Sequence, residues 1–290
     1  MTDLTADTDN NAALSITITD NSASAADLNT INAATTLAVD ATAIATISAS
    51  TLGAISTLGG AITGGQFAAT NAIATINVSG DAIDYTTLGS EIDRFDDFRT
   101  DPAIATFVLA DTTTVTLGSQ TEVDNFLADV TANLVSVSGA SQAVTVTAAP
   151  GGVDISHTDA IALAAAAGGT VTATIVSGTT VDQLKTLYDA GETNAYTITI
   201  DNADATGSTA AEFNAINSAT SVAINAAAVT SLSGTASDIA TLMSAATDAE
   251  QFTGASFDSV AANGLSITGT AIDVTDLNNA LSRTTAVSNN

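Results

Sequence analysis

The chain has 290 residues and a formal net charge of −27, from 31 Asp and Glu against 4 Lys and Arg, yet only 12% of its residues are charged. Lys185, Arg94, Arg99 and Arg283 are its only cations, too few to neutralise the phosphates of a nucleic acid or to hold an anionic lipid surface. Cysteine and tryptophan are absent, and 46% apolar residues with 4% aromatics give a core of Ala, Ile, Val, Leu and Thr rather than a disordered chain.

In chain order, Met1 to Asp7 carries neither a basic stretch nor an apolar one, so it is no secretory signal peptide. The expectation is a piece of a longer chain, or export by an uncleaved C-terminal signal. No apolar run approaches the ~18 residues of a membrane span; the longest, Ala160 to Gly169, is mostly alanine. Alternating β-branched residues predict strands at Ser15 to Thr19, Ile76 to Val78, Val144 to Thr147, Thr174 to Val176, Thr197 to Ile200 and Ser266 to Thr268. Helices are expected after Ser24 (Ala25 to Ala34), after Gly80 (Ile83 to Leu88), from Val181, after Thr209 (Ala210 to Ala219) and from Ile272 to Leu281. Ser24 and Thr209 are read as N-caps, with Phe213 and Ile216 on a buried face. Helix starts near 180, 208 and 236 give a spacing of 28 residues.

Self-comparison yields a duplication. Residues 26–48, ADLNTINAATTLAVDATAIATIS, align without a gap on 211–233, AEFNAINSATSVAINAAAVTSLS, at a constant offset of 185. Each copy follows an alternating strand that ends in Asp-Asn, at Asp20-Asn21 and Asp201-Asn202. A strand–helix–strand unit of this length cannot cover its own apolar face, and stacking does so. The expected fold is therefore a β-rich α/β solenoid: elongated, stacked strand–helix repeats with mostly parallel strands. The expected organisation is a first repeat array over 1–89, an irregular break or insertion over 90–102 (EIDRFDDFRTDP at its centre) and a second array over 103–290, with one continuous elongated domain as the alternative and Pro150-Gly151-Gly152 a turn.

The repeat phrase is carried by Ala25 to Ala41, by Thr209 to Ala226 and by Ser233-Gly234-Thr235-Ala236-Ser237-Asp238-Ile239. It resembles the repeats of very large surface proteins of cyanobacteria and some proteobacteria, including S-layer-like and adhesin-like proteins of the type I secretion class. The resemblance implies an exported, extracellular structure at a cell surface.

Candidate chemistry is sparse. His157, in Asp154-Ile155-Ser156-His157-Thr158-Asp159, is the only histidine, so ordinary zinc sites and Cys-His nucleophiles are excluded. It is expected to open a helix beside a Thr or Asp cap rather than to serve a triad. The pairs Gly59-Gly60, Gly64-Gly65, Gly151-Gly152 and Gly168-Gly169 belong to no phosphate loop and are read as turns. Calcium is the one cofactor the residues suggest, since it takes six to eight oxygen ligands. Its candidate clusters are Asp93, Asp96, Asp97 and Asp101; Asp201, Asn202 and Asp204; and Asp3, Asp7 and Asp9, without an EF-hand loop or a calcium β-roll nonapeptide.

These readings converge on a non-catalytic structural or assembly protein of the bacterial cell surface (S-layer, surface fibre or adhesin stalk), with calcium dependence and self-association or neighbouring surface subunits as partners. The alternative is an extracellular binding module for glycan, cell or ice adhesion. A polysaccharide-active enzyme ranks last, because it needs cations for acidic sugars and aromatics for sugar rings.

Overall fold

The computed structural model describes residues 13–68, 73–80, 82–97, 106–109, 114–137, 142–146, 153–189, 193–201, 208–229, 231–247, 251–253, 265–268 and Thr275. The chain divides into two compact units, Met1–Val144 with Ala166–Gly169 and Thr145–Ala165 with Thr170–Asn290. Both are mixed α/β, with eight helices among the described residues.

In the first unit the elements run β1 (Ser22–Ser24), α1 (Ala25–Ala33), β2 (Val39–Asp40), β3 (Thr46–Ser50), α2 (Leu52–Thr63), β4 (Phe67–Ala68), β5 (Thr75–Val78), β6 (Ala82–Asp84), α3 (Tyr85–Asp97), β7 (Thr106–Leu109), β8 (Thr114–Leu117), α4 (Gln120–Thr131), β9 (Val135–Val137) and β10 (Gln142–Val146). The second continues with β11 (Asp154–Ile155), α5 (His157–Ala167), β12 (Gly168–Ile175), α6 (Val181–Asp189), β13 (Ala195–Thr197), α7 (Ala210–Ala219), β14 (Ile224–Asn225), β15 (Leu232–Gly234), α8 (Ala236–Thr247), β16 (Phe252–Thr253) and β17 (Leu265–Ile267). Strands are two to eight residues long and helices nine to thirteen. Helix therefore outweighs strand among the described residues, which corrects the β-rich expectation: each crossing of a sheet is too short to dominate the unit that contains it.

The strands of the first unit form one parallel sheet in the order β1-β3-β5-β7-β9, with β2 on β4 and β6 on β8 as further parallel pairs. In the second unit β12 lies parallel between β11 and β13, β14 pairs with β16 and β15 with β17. Partners lie between 20 residues apart (Asp154↔Thr174) and 33 apart (Leu232↔Leu265). Like side chains thereby stack in columns. Ala23, Ile47, Ile76, Phe107 and Val135 follow one another across the five-stranded sheet, and the last four are buried. At roughly 1.5–3 kcal/mol for each fully buried Ile, Val or Phe side chain, such columns supply much of the hydrophobic stabilisation.

Helices begin where Ser or Thr accepts a backbone N–H. Ser24, Thr51, Ser119 and Thr209 cap α1, α2, α4 and α7, and Thr209 forms a full capping box with Glu212. Helices α2 and α4 end alike. Gly65 and Asn133 take left-handed backbone at φ 73° and 59°, and the following N–H groups of Gln66 and Leu134 reach back to the carbonyls of Ala61 and Asp129. Buried residues recur three or four apart: Leu28 and Ile31 in α1, Ile55, Leu58 and Ile62 in α2, Leu88, Ile92 and Phe95 in α3, Phe213 and Ile216 in α7.

The segment 90–102, expected as an irregular break, continues α3 to Asp97; its remainder lies outside the described residues. Leu88, Ile92 and Phe95 hold a helical period beneath the charged residues that had marked it as a break. The boundary between units instead falls beside Val144. Gly59 and Gly60 likewise sit inside α2 rather than in a turn. A Cβ on Gly59 would lie 3.0 Å from Arg94 Cδ and 3.2 Å from Phe95 Cε2, so this glycine admits α3.

The duplicated segments adopt the same elements. Helices α1 and α7 correspond at offset 185, as do β2 with β14 and β4 with β16. Through α2 and α8 the offset is 184, with Ile55 matching Ile239 and Leu58 matching Leu242, and it returns to 185 at β4 and β16. The extra residue of the first copy appears as a β-bulge, where Ile47 to Ser50 of β3 spans only Ile76 to Val78 of β5.

Candidate functional site

Side-chain amides and hydroxyls link each repeat to the next. Asn29 Nδ2 donates to Ala54 O (3.0 Å), and its duplicate Asn214 Nδ2 donates to Asp238 O (2.9 Å). Asn32 Nδ2 donates to Gln66 Oε1 (2.7 Å) and Asn217 Nδ2 to Gln251 Oε1 (2.6 Å). Thr35 Oγ1 donates to Leu14 O (2.6 Å) and Thr220 Oγ1 to Tyr196 O (2.7 Å). Buried Asn194 accepts from Val171 N through Oδ1 (2.8 Å) and from Ser221 N through its carbonyl (2.7 Å). Neutral hydrogen bonds contribute about 1 kcal/mol each, and leaving their buried partners unpaired costs more. Part of the Ser, Thr and Asn richness of the chain thus goes into joining successive repeats, and part into helix caps and bonds within helices.

Charge enters at two helix seams of the first unit. Between α2 and α3, Glu91 is buried and accepts from Arg94 Nη1 (2.9 Å), which also donates to Ser56 O (3.1 Å). Between α3 and α4 lies a groove of about 350 Å³ whose lining includes Tyr85, Asp93, Glu122, Asn125 and Asp129. Tyr85 is buried edge-on against Phe126, ring centroids 5.7 Å apart, and its hydroxyl donates to the Asp129 carboxylate. Thr86 Oγ1 donates to Glu122 Oε1 (2.7 Å), whose other oxygen accepts from Gly118 N (2.6 Å).

Burial raises the Asp129 carboxyl above its usual range and the Asp93 charge adds to this, while the hydrogen bond from Tyr85 opposes it. Burial, with the carboxylates of Asp129, Asp93 and Glu122, pushes the Tyr85 phenol above its ordinary value. The groove therefore favours neutral over anionic groups.

Of the calcium candidates, Asp93 is exposed on α3 at this groove, and Asp201 Oδ2 accepts from Gly178 N (2.6 Å). Asp96 and Asp97 lie in the last turn of α3, and their side chains are outside the described residues, as are Asp101, Asn202, Asp204, Asp3, Asp7 and Asp9. Among the described residues no three His, Asp or Glu side chains are grouped to hold a metal ion. His157 is the first residue of α5, where Ser156 Oγ accepts from Asp159 N (3.1 Å) and donates to Asp159 Oδ2 (2.8 Å). Ser156 and Asp159 serve that helix start. No helix among the described residues is long and apolar enough to cross a membrane.

Tyr85, Glu122 and Asp129 were not singled out from sequence. They meet only through the spacing of paired strands, and between Ala82 and Thr114 that spacing is 32 residues rather than 28. Comparison of the chain with protein-family models, curated proteins and solved structures gives no match.

Proposed function

We propose that the chain is a non-catalytic structural module of an extracellular bacterial surface assembly (S-layer, surface fibre or adhesin stalk) whose units are solenoid-like stacks of strand–helix coils. The observation that carries this reading is the conservation of coil-to-coil bonds within one chain: Asn32–Gln66 and Asn217–Gln251 recur at the same offset of 185. Bonds of this kind serve stacking and have no use in turnover. The resemblance of the repeat phrase to surface proteins supports the location.

Calcium dependence belongs to the same reading. A net charge of −27 opposes lateral packing of identical chains. Monovalent salt only screens it, over a Debye length of about 8 Å at physiological ionic strength. A divalent ion bridges carboxylates and, by mass action, raises the melting temperature. The test is electron microscopy and thermal melting at matched ionic strength in chelator, magnesium and calcium. Sheets or filaments with the highest melting temperature in calcium are expected. Monodisperse particles with one melting temperature in all three would overturn the assembly reading, as would turnover on a broad glycan and ester panel for its non-catalytic part.

A further inference from the structure

The duplication provides an internal control for burial, because α7 has a helix on each side and α1, among the described residues, has one only on the side of α2. Helix α7 packs on α6 on one side and on α8 on the other. Helix α1 packs on α2, the counterpart of α8, and among the described residues no helix precedes it. Wherever the burial of the two differs, α1 is the more open. Ala23, Asp27, Thr30 and Ala34 are each more exposed than Ser208, Glu212, Ala215 and Ala219. Asp27, Thr30 and Ala34 fall at i, i+3 and i+7, a single helical stripe, and Ala23 lies in β1 just before the helix.

The flanking strands agree. Leu14 and Tyr196 are equivalent, since each carbonyl accepts from the equivalent threonine, Thr35 or Thr220. Leu14 is 44% exposed and Tyr196 1%, the latter under α5 and β12 through Tyr196 Oη to Ala160 O and the Ala173↔Tyr196 pair. Ile16 and Ile198 differ in the same sense, and Leu37 is 45% exposed where its counterpart Val222 is partly covered. Two of the four large apolar residues most open to solvent among the described residues lie on this one coil.

We infer that this face, the outer stripe of α1 with Leu14, Ile16 and Leu37, binds a strand–helix coil of a second copy of this chain. It rests on the stacked-coil reading above and not on the surface location. The occupant is specified by what covers α7: a parallel strand followed by a helix like α6, so the contact continues the interface the chain already makes between its own coils. The segment Ser266-Ile267-Thr268-Gly269 leading to Ile272 and Leu281 repeats the order of Thr174-Ile175-Val176-Ser177-Gly178 leading to Val181 and Leu187. A copy contributing that segment makes a heterologous contact, which closes into a ring or propagates as a filament according to the rotation it imposes.

The experiment mixes heavy-isotope and light chains, each carrying a photo-crosslinker in place of Thr30, and maps the linked peptides. Mixed-isotope links from position 30 to residues 265–281 are expected. The same probe at Ala215, the equivalent site on α7, reads the stacking itself and is expected to link to residues 181–189 of its own chain. If the Ala215 probe misses α6, both the stacked-coil reading and this inference fall. If it reaches α6 while position 30 gives no mixed-isotope link, or links only to residues 1–12, this inference alone falls. In sedimentation velocity Thr30→Glu is expected to weaken self-association at least tenfold, with Ala26→Glu on the exposed side of the same helix unchanged. Equal association of the two, both folded by circular dichroism, overturns the face.

Discussion

Helices α2 and α8 are the second helices of the two duplicated segments, and each is bonded by the preceding helix at the same place, Ala54 O in one and Asp238 O in the other. They part at the position held by Gly59 in α2 and by Met243 in α8. Met243 is buried and fills its own neighbourhood. At Gly59 the space is taken by the next coil, whose Arg94 and Glu91 come within 3.0 and 3.1 Å of where a Cβ would stand. One coil frame thus accepts two fillings, a flexible apolar side chain or a neighbour's ion pair. The backbone bonds and caps define the frame, and the buried filling is free to vary with the coil above.

The largest expected effect breaks the apolar filling. Met243→Gly removes a buried side chain, which costs about 2–5 kcal/mol for comparable truncations, and adds about 1 kcal/mol for glycine inside a helix. Urea unfolding followed by far-UV circular dichroism is expected to show a loss near 4 kcal/mol. A loss below about 1 kcal/mol would mean that Met243 is not packed as described.

The charged filling comes next. Arg94→Met leaves the Glu91 carboxylate buried without its cation, a defect that costs roughly 3–5 kcal/mol in buried pairs. The value expected is about 3, since the Arg94 side chain is 37% exposed. Adding Glu91→Leu is expected to recover most of the loss, because an apolar pair of similar volume serves the seam as well. If the double variant is as unstable as Arg94→Met, the pair is needed for more than neutralising Glu91. Gly59→Ala sharpens the same point on a smaller scale. Overpacking against Arg94, Glu91 and Phe95 costs about 1–3 kcal/mol, and alanine returns up to about 1 through helix propensity, so a net loss near 1 is expected in the same unfolding assay.

What the sequence discloses follows the same division between frame and filling. The frame was legible because it recurs as residues: Asn29 with Asn214, Asn32 with Asn217, Ser24 with Thr209. The partner of Asn32, Gln66, repeats at Gln251 at the offset of 185, on the far side of α2 from the aligned window. The α2–α8 correspondence was hidden by the residue that β3 accommodates as a bulge, which shifts the offset to 184. The filling was not legible, because it depends on contacts between coils that share no local pattern. EIDRFDDFRTDP reads as a charged interruption until α2 is seen to receive Arg94 and Glu91, and Gly59-Gly60 reads as a turn until α3 is seen to need the space. Tyr85 and Asp129, 44 residues apart, are joined only by the packing of α3 on α4.

The smallest expected effect concerns that last seam, and it separates a charged helix seam of the first unit from a neutral one of the second. The folded chain holds the Asp129 proton more tightly than the unfolded chain does, because burial and the nearby Asp93 charge disfavour the carboxylate more than the Tyr85 hydrogen bond favours it. At pH values below the ordinary carboxylate range both states are protonated and the group has no effect on stability. As pH rises through that range the unfolded chain releases its proton first, so stability falls until the folded chain has also ionised. Above that point the penalty is constant. Asp129→Asn keeps an acceptor for the Tyr85 hydroxyl and removes the charge, so it is expected to raise the melting temperature slightly near pH 7. The gain is expected to shrink as pH is lowered through the window, and the groove's partial exposure to solvent keeps it small. Asn214→Ala, at a seam joined by an amide and a backbone carbonyl, is expected to lower the melting temperature by the same amount at every pH. A pH-independent loss for Asp129→Asn would place Asp129 with the frame, as an anchor for Tyr85, and would leave the α2–α3 pair as the only charged filling among the described helix seams.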